Sequence, residues 1–365
     1  MRIAQVAPLY ESVPPKMYGG TERVVSWLTE ELVRLGHEVT LFASGDSLTT
    51  AQLVPACPQS LRMNTSSIDH LAHHVNLVES VCAEKQNFDL IHFHIDYLHF
   101  PCSRREQLSQ VSTLHGRLDI PDLVPVYRRF SDMPVISISD AQRTPLPWIN
   151  WQGTVHHGLP ADMFRPYLEP GKYLAFLGRT SPEKGLEQAI EIAKRANMPL
   201  RIAAKVDRAD ADYYESKIKP LLNHPLIEFL GEIGFAEKNE FLGNAAALLF
   251  PIDWPEPFGI VMIEAMACGV PVIAFSRGSV PEIIEDGVSG FIVKDVDDAV
   301  RAVQQLENFD RYTCRSRFDE LFTAQRMTQD YLDIYDRILK GEPSSLALTD
   351  GDLSWMKLVS HSSTT

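Results

Sequence analysis

Two carboxylates stand eight residues apart in the run Trp254-Pro-Glu-Pro-Phe-Gly-Ile-Val-Met-Ile-Glu-Ala-Met-Ala-Cys-Gly-Val-Pro271: Glu256 and Glu264. Every residue from Phe258 to Cys268 is apolar or glycine except Glu264. A helix that is apolar on all sides is a buried one. A carboxylate carried into it costs several kcal/mol unless it finds partners. The helix itself offers Glu264 none. Glu256 lies between Pro255 and Pro257, just ahead of the first turn. The amides of Phe258, Gly259 and Ile260 open the helix, and such amides make a site for an anion. A ligand that carries both phosphate and hydroxyls, as a nucleotide sugar does, suits the combination.

The run Leu177-Gly-Arg-Thr-Ser-Pro-Glu-Lys184-Gly supplies the complementary charge. Arg179 and Lys184 follow an apolar run and precede a helix that starts near Gly185. Two cations at a strand end can clamp a diphosphate and offset the charge that develops on it as it leaves. Alone, an Arg and a Lys are more often surface charges; the Glu256 to Glu264 run downstream turns the reading toward a site. Gly19 and Gly20, in Tyr18-Gly-Gly-Thr-Glu22, either let the backbone approach an anion at the next helix N-terminus or simply form a tight turn. No G-x-G-x-x-G fingerprint accompanies them, and the loop from Pro8 to Gly20 is too long for a dehydrogenase turn. His115, in Thr113-Leu-His-Gly-Arg117, ends a strand of the first half and is read as functional against a structural alternative. His92 and His94 share one strand face at period two, which is half of a metal site. No carboxylate or cysteine cluster completes it, so a structural role is the reading taken. The charges in Arg277-Gly-Ser-Val-Pro-Glu282 and on to Val293 read as a solvated face.

These residues must be positioned by a scaffold, and bulk properties bound what it is. A chain of 365 residues is too long for one core of usual size and suits two domains. Apolar content of 45% and charged content of 22% are those of an ordinary globular enzyme. A formal net charge of −14 argues against nucleic acid as a partner and against docking on an anionic membrane. No window approaches the ~18 apolar residues of a membrane span. Five dispersed cysteines without a C-x-x-C pair fit reduced thiols. The chain opens on a strand, Ile3-Ala-Gln-Val-Ala7, with no signal-peptide pattern, so a cytoplasmic location is expected.

Apolar runs alternate with helical patterns throughout. Strands are expected at 2–7, 39–43, 89–94, 111–115, 134–138 and 153–156, then at 173–177, 201–206, 227–230, 246–251, 271–275 and 290–293. Val24, Val25, Leu28, Leu32 and Leu35 form one helix face, with Thr21 able to cap that helix and Gly36 to end it. The alternation predicts an α/β class with two doubly wound parallel sheets. The stretch 157–171, with Pro160, Pro166 and Pro170, reads as the connector. The expected parts are an N-terminal Rossmann-like domain over 1–160, a second over 171–318, and a segment 319–365. That segment begins with an amphipathic helix over 319–340 and ends in a Ser/Thr/Gly-rich tail. Open parallel sheets bind ligands at the carboxyl ends of their strands, so a cleft between two facing sheets is where the site is expected.

In order and spacing, Gly19-Gly20, His115-Gly116, Gly178-Arg179 with Lys184-Gly185, Glu256-Pro-Phe-Gly259, Glu264-Ala-Met-Ala-Cys-Gly-Val-Pro271 and Gly287-Val-Ser-Gly-Phe-Ile-Val293 resemble the retaining glycosyltransferases of family 4. The resemblance spans nearly the whole chain. It implies the GT-B fold: two facing Rossmann-like domains, the nucleotide held mostly by the second, the acceptor mostly by the first, and a last helix that returns to the first. It implies that Arg179 and Lys184 hold the diphosphate, Glu264 the ribose hydroxyls and Glu256 hydroxyls of the donor sugar, with His115 near the sugar. Gly19, Gly20, Phe258, Gly259 and Ile260 complete the expected donor site. No metal and no cofactor are expected, because the two cations and the helix N-terminus do that work; Asp210-Ala-Asp212 and Asp295-Val-Asp297 are assigned no ligand role. Retention is expected by departure and attack on one face, since no carboxylate stands out for a double displacement.

Three further stretches, Pro14-Pro-Lys-Met-Tyr-Gly-Gly-Thr-Glu22, Val124-Pro-Val-Tyr-Arg-Arg-Phe130 and Val135-Ile-Ser-Ile-Ser-Asp140, resemble a bacterial subgroup that includes cyanobacterial pterin glucosyltransferases. The reading is therefore a transferase that moves a hexose, glucose first, from a nucleotide diphosphate sugar, UDP-glucose first, to a small soluble acceptor. The expected partners are that donor and that acceptor, with no nucleic acid and no membrane. Two other classes share the fold: a nucleotide-sugar epimerase, which needs an acid–base pair beside C2 of the sugar, and a non-catalytic nucleotide-sugar-binding protein. A lectin-like module has no need of Arg179 and Lys184.

Overall fold

The strands are short and several are buried along their whole length, as in Leu90–Phe93, Gln110–Thr113 and Val135–Ser137, which is the pattern of parallel strands covered by helices. The computed structural model describes residues 1–16, 19–64, 66–344 and 346. Tyr18 of the glycine motif and nearly all of the expected 341–365 tail lie outside the described residues. The chain divides into two units, Met1–His156 with the chain from Thr328 onward, and His157–Met327.

The first unit holds β1 (Arg2–Val6), β2 (Glu38–Ser44), β3 (Gln52–Cys57), β4 (Leu90–Phe93), β5 (Gln110–Thr113), β6 (Val135–Ser137) and β7 (Trp151–Thr154). They form one parallel sheet in the order β3-β2-β1-β4-β5-β6-β7. The second unit holds β8 (Tyr173–Arg179), β9 (Leu200–Lys205), β10 (Ile227–Gly231), β11 (Ala245–Phe250), β12 (Val272–Phe275) and β13 (Gly290–Val293), in the order β10-β9-β8-β11-β12-β13. In each sheet the order reverses beside the first strand, between β1 and β4 and between β8 and β11. That reversal is where an open α/β sheet opens a crevice at its strands' carboxyl ends.

The strand β3 is absent from the sequence reading. It carries Pro55, which cannot donate to a ladder, and the strand sits at the sheet edge, where proline is tolerated. The helix Gly20–Arg34 starts two residues earlier than a Thr21 cap requires: Gly19 is the cap and Thr21 lies in the first turn. Gly36 follows its end in the left-handed conformation, φ 86°, as a helix stop does.

The single helix expected over 319–340 is two helices, Arg311–Leu321 and Ala324–Lys340. Between them the backbone is spent on pairing: Leu159 N donates to Phe322 O (2.8 Å) and Ala324 N to Leu159 O (2.7 Å). Gly158 permits this approach, since a Cβ there would lie 2.1 Å from the Thr323 carbonyl. Thr323 Oγ1 then accepts the Arg326 amide at 3.2 Å and caps the second helix. Among the described residues no helix is long and apolar enough to cross a membrane.

Candidate active site

In the second unit the chain after β8 and the chain after β11 flank the reversal point, and both carry the singled-out residues. Arg179 is the last residue of β8. After a turn of 3-10 helix, Gly185 takes φ 71° and starts the helix Leu186–Arg195. A Cβ at Gly185 would stand 1.9 Å from the Pro251 carbonyl, so only glycine lets this loop lie against the end of β11. Asp253 N donates to Glu183 O at 2.9 Å and ties the two loops together.

Lys184 and Glu256 meet across this junction. Lys184 Nζ donates to Glu256 Oε2 at 2.5 Å, and Trp254 Nε1 donates to the same oxygen at 2.9 Å. The Lys184 ammonium also lies 5.1 Å from the Trp254 ring centroid, a cation–π arrangement. Arg179 donates to Glu183 (3.2 Å) and stands 3.6 Å from Asp207, which Lys205 at the end of β9 approaches to 3.0 Å. Lys205 thus adds a third cation that the sequence reading did not single out.

The loop bearing Glu256 is braced from behind. Gly278, at φ 53°, would place a Cβ within 2.4 Å of the Glu256 backbone nitrogen and oxygen, and Ser279 N donates to Glu256 O at 3.0 Å. Ser279 Oγ donates to the Phe258 carbonyl at 2.7 Å. The 277–293 run, read for its solvated charges, therefore contributes two uncharged residues that shape the site. Phe258 is buried against His157, ring centroids 4.7 Å apart. Gly259, at φ 83°, precedes the helix Ile260–Ala267, whose first amides face the side on which Glu256 stands in sequence.

Glu264, 1% exposed, has a protein partner after all. Lys238, on the neighbouring helix Phe235–Gly243, donates to both carboxylate oxygens, at 2.8 and 2.9 Å. No local signal in the sequence joins residues 26 positions apart on two helices, so Lys238 was not legible there.

In the first unit, His115 lies just past β5, and beside it a chain of buried hydrogen bonds runs into the core. Gln5 Oε1 is a carbonyl and can only accept, so His94 Nε2, 2.8 Å away, carries the proton. His94 Nδ1 is then the acceptor for His115 Nε2 at 2.9 Å. In the other direction Gln5 Nε2 donates to Tyr335 Oη (3.3 Å), Tyr335 donates to His92 Nδ1 (2.6 Å), His92 Nε2 donates to Thr113 Oγ1 (2.8 Å), and Thr113 donates to Tyr331 Oη (3.1 Å). All donors point one way. The order assigns His115 the Nε2–H tautomer and leaves Nδ1 as its ring acceptor. Both nitrogens of His92 and of His94 are thus committed to hydrogen bonds, in keeping with a structural role for the pair. Burial pushes His115 down to about 3, so the ring is neutral near pH 7.

Asp96, two residues beyond the histidine run, was missed. It has φ 50°, a left-handed conformation rare for a side-chain-bearing residue. Burial pushes its carboxyl up to about 6, against a hydrogen bond from the His115 backbone. Gly19 is pressed against Pro15, where a Cβ would fall 2.8 Å from the proline Cβ, so its glycine identity has a packing reason. Gly20 is the first residue of its helix and is exposed.

The family model described as glycosyl transferases group 1 matches residues 163–319, and the one described as glycosyltransferase family 4 matches residues 18–144. An uncharacterized glycosyltransferase of Methanocaldococcus jannaschii is 26% identical over 345 residues, covering 80% of this chain and 85% of its own. A glycosyltransferase involved in avilamycin A biosynthesis superposes with a TM-score of 0.74 at 22% identity, over 93% of this chain and 98% of its own. The Anabaena protein HepE in complex with UDP does so with a TM-score of 0.70 at 18% identity, over 92% and 100%.

Proposed function

We propose that this chain, which belongs to the group 1, family 4 glycosyltransferases and has their GT-B fold, moves a hexose from a nucleotide diphosphate sugar to a small soluble acceptor with retention of configuration. Glucose from UDP-glucose is the donor we assign. Its support is that HepE, similar in fold, has been crystallised with UDP-glucose. A pterin is the acceptor class we assign, on the sequence resemblance of 14–22, 124–130 and 135–140.

The observation that carries the reading is the convergence of Arg179, Lys184, Glu256 and the Ile260–Ala267 helix N-terminus on the reversal point of one sheet. Arg179 and Lys184 hold the diphosphate, and the helix amides add fixed dipoles to that charge. Glu256 binds hydroxyls of the sugar and Glu264 the ribose. On the family resemblance, His115 stands near the sugar. In the step itself the C1–O bond to phosphate breaks as the acceptor oxygen bonds to C1 on the same face. The acceptor's proton passes to the departing phosphate oxygen. The cations stabilise that leaving group, so no metal is required.

The test is incubation with UDP-glucose, GDP-glucose and ADP-glucose in the presence of a pterin and of pooled small-molecule extract. Nucleoside diphosphate release with a new α-glucoside supports the reading. Interconversion of the sugar without release identifies an epimerase, and binding without turnover identifies a binding protein; either outcome overturns it.

A further inference from the structure

Glu264 and Lys238 form a pair whose geometry bears on how a nucleotide enters. A single nitrogen 2.8 and 2.9 Å from the two carboxylate oxygens sits on the bisector of the O–C–O edge. A vicinal diol that donates one hydroxyl to each oxygen docks on that same edge. The two occupants are mutually exclusive there, because the ammonium would lie between the two hydroxyls. Only one partner has room to yield. The Glu264 side chain is 2% exposed on a buried helix, whereas that of Lys238 is 21% exposed on a four-carbon stem. Its ammonium already lies 5.8 Å from the Phe235 ring centroid, on the same helix. We propose that Lys238 is a displaceable stand-in for the ribose diol: it holds the buried Glu264 carboxylate on its diol-binding edge and swings aside when a nucleotide docks.

The device has a physical rationale. A buried carboxylate with one partner removed is strongly unfavourable, so an internal cation compensates Glu264 and holds its carboxylate oriented between turnovers. The same cation lowers the apparent affinity for the nucleotide, since the diol gains a carboxylate only as the ion pair separates. Lys238 therefore tunes donor release as well as donor capture. This rests on the nucleotide-sugar reading of the site.

The test compares a nucleotide with its diol-less counterpart. Calorimetric dissociation constants are measured for UDP, GDP and ADP, then for the 2′,3′-dideoxy form of whichever binds. The discrimination ratio is Kd of the dideoxy form over Kd of the parent. In Lys238→Met the diol no longer competes with an ammonium, and the ratio should rise by roughly tenfold. In a Glu264→Gln background the same change at Lys238 should leave the ratio unaltered, a cycle that a merely structural lysine does not produce. Lys238→Arg, which keeps the charge, should stay near the wild-type ratio and guards against a folding defect in the methionine variant. A ratio that falls or stays constant in Lys238→Met overturns the proposal while leaving the nucleotide-sugar reading intact. Failure of the wild type to bind any of the three diphosphates overturns that reading, and this inference with it.

Discussion

Lys184 is the residue on which charge, geometry and chemistry meet most closely, held between Glu256 and Trp254. Replacing it with alanine removes one half of the proposed diphosphate clamp. Turnover with UDP-glucose should fall by about 2–4 kcal/mol of transition-state stabilisation, with a cooperative melting transition retained. A purified variant that kept most of its transfer rate would contradict the assignment. Asp96 makes a different prediction. Its carboxyl is raised from 3.8 to about 6, chiefly by burial, with Tyr127 and the His115 backbone nearby. A carboxyl raised by folding holds its proton in the native state where the unfolded chain has lost it. Stability therefore falls as pH rises from about 4 to 6 and is level above that. Asp96→Asn should remove this loss, stabilising the protein near pH 7 by at most roughly 3 kcal/mol, with the gap closing toward pH 4. Thermal unfolding across that range checks it, and a gap independent of pH contradicts it. At this scale the sequence displayed the residues that stand in motifs, Glu256, Glu264, Arg179 and Lys184. It concealed Lys238, Lys205 and Asp96, which matter through long-range pairing or through an unusual backbone conformation that no local pattern announces.

At the scale of elements, the hydrogen-bond chain from His115 through Gln5 to Tyr335 makes the helix Ala324–Lys340 part of the first unit's core. Tyr335→Phe leaves Gln5 Nε2 and His92 Nδ1 without their shared partner, and the expected destabilisation is about 1–3 kcal/mol. In ¹⁵N spectra of the wild type, His92, His94 and His115 should each show the Nε2–H tautomer. An Nδ1–H signal for His94 would break the chain as assigned. Gly278→Ala tests the brace behind Glu256: a methyl 2.3 Å from a backbone oxygen must displace that loop. Activity should drop by more than the loss of thermal stability explains, and an unchanged kcat would show that the loop's position is unimportant. The strands were largely legible because parallel strands buried on both faces are continuous apolar runs. The exceptions have reasons. The edge strand β3 tolerates a proline that reads as a break, and the break at Phe322–Thr323 is imposed by pairing with Leu159, about 160 residues away in sequence.

At the scale of the molecule, a chain of net charge −14 places Arg179, Lys184, Lys205 and Lys238 on one unit, on β8, the turn after it, β9 and the helix Phe235–Gly243. Each is paired with a carboxylate, Glu183, Asp207, Glu256 or Glu264, and the cluster was legible only in part, because two of the four cations lie outside any motif. The proposed function has Arg179 and Lys184 hold the diphosphate without a metal. Transfer should survive excess chelator with little change, and a rate abolished by chelator and restored by Mg²⁺ or Mn²⁺ would contradict that. The most direct test of the central claim is the rate of UDP release from UDP-glucose, measured with acceptor for the wild type and for Lys184→Ala side by side. Acceptor-dependent release by the wild type is expected, with a rate on the order of a hundredfold lower in the variant. Equal rates in the two proteins, or no release by the wild type from any nucleotide sugar, would contradict it.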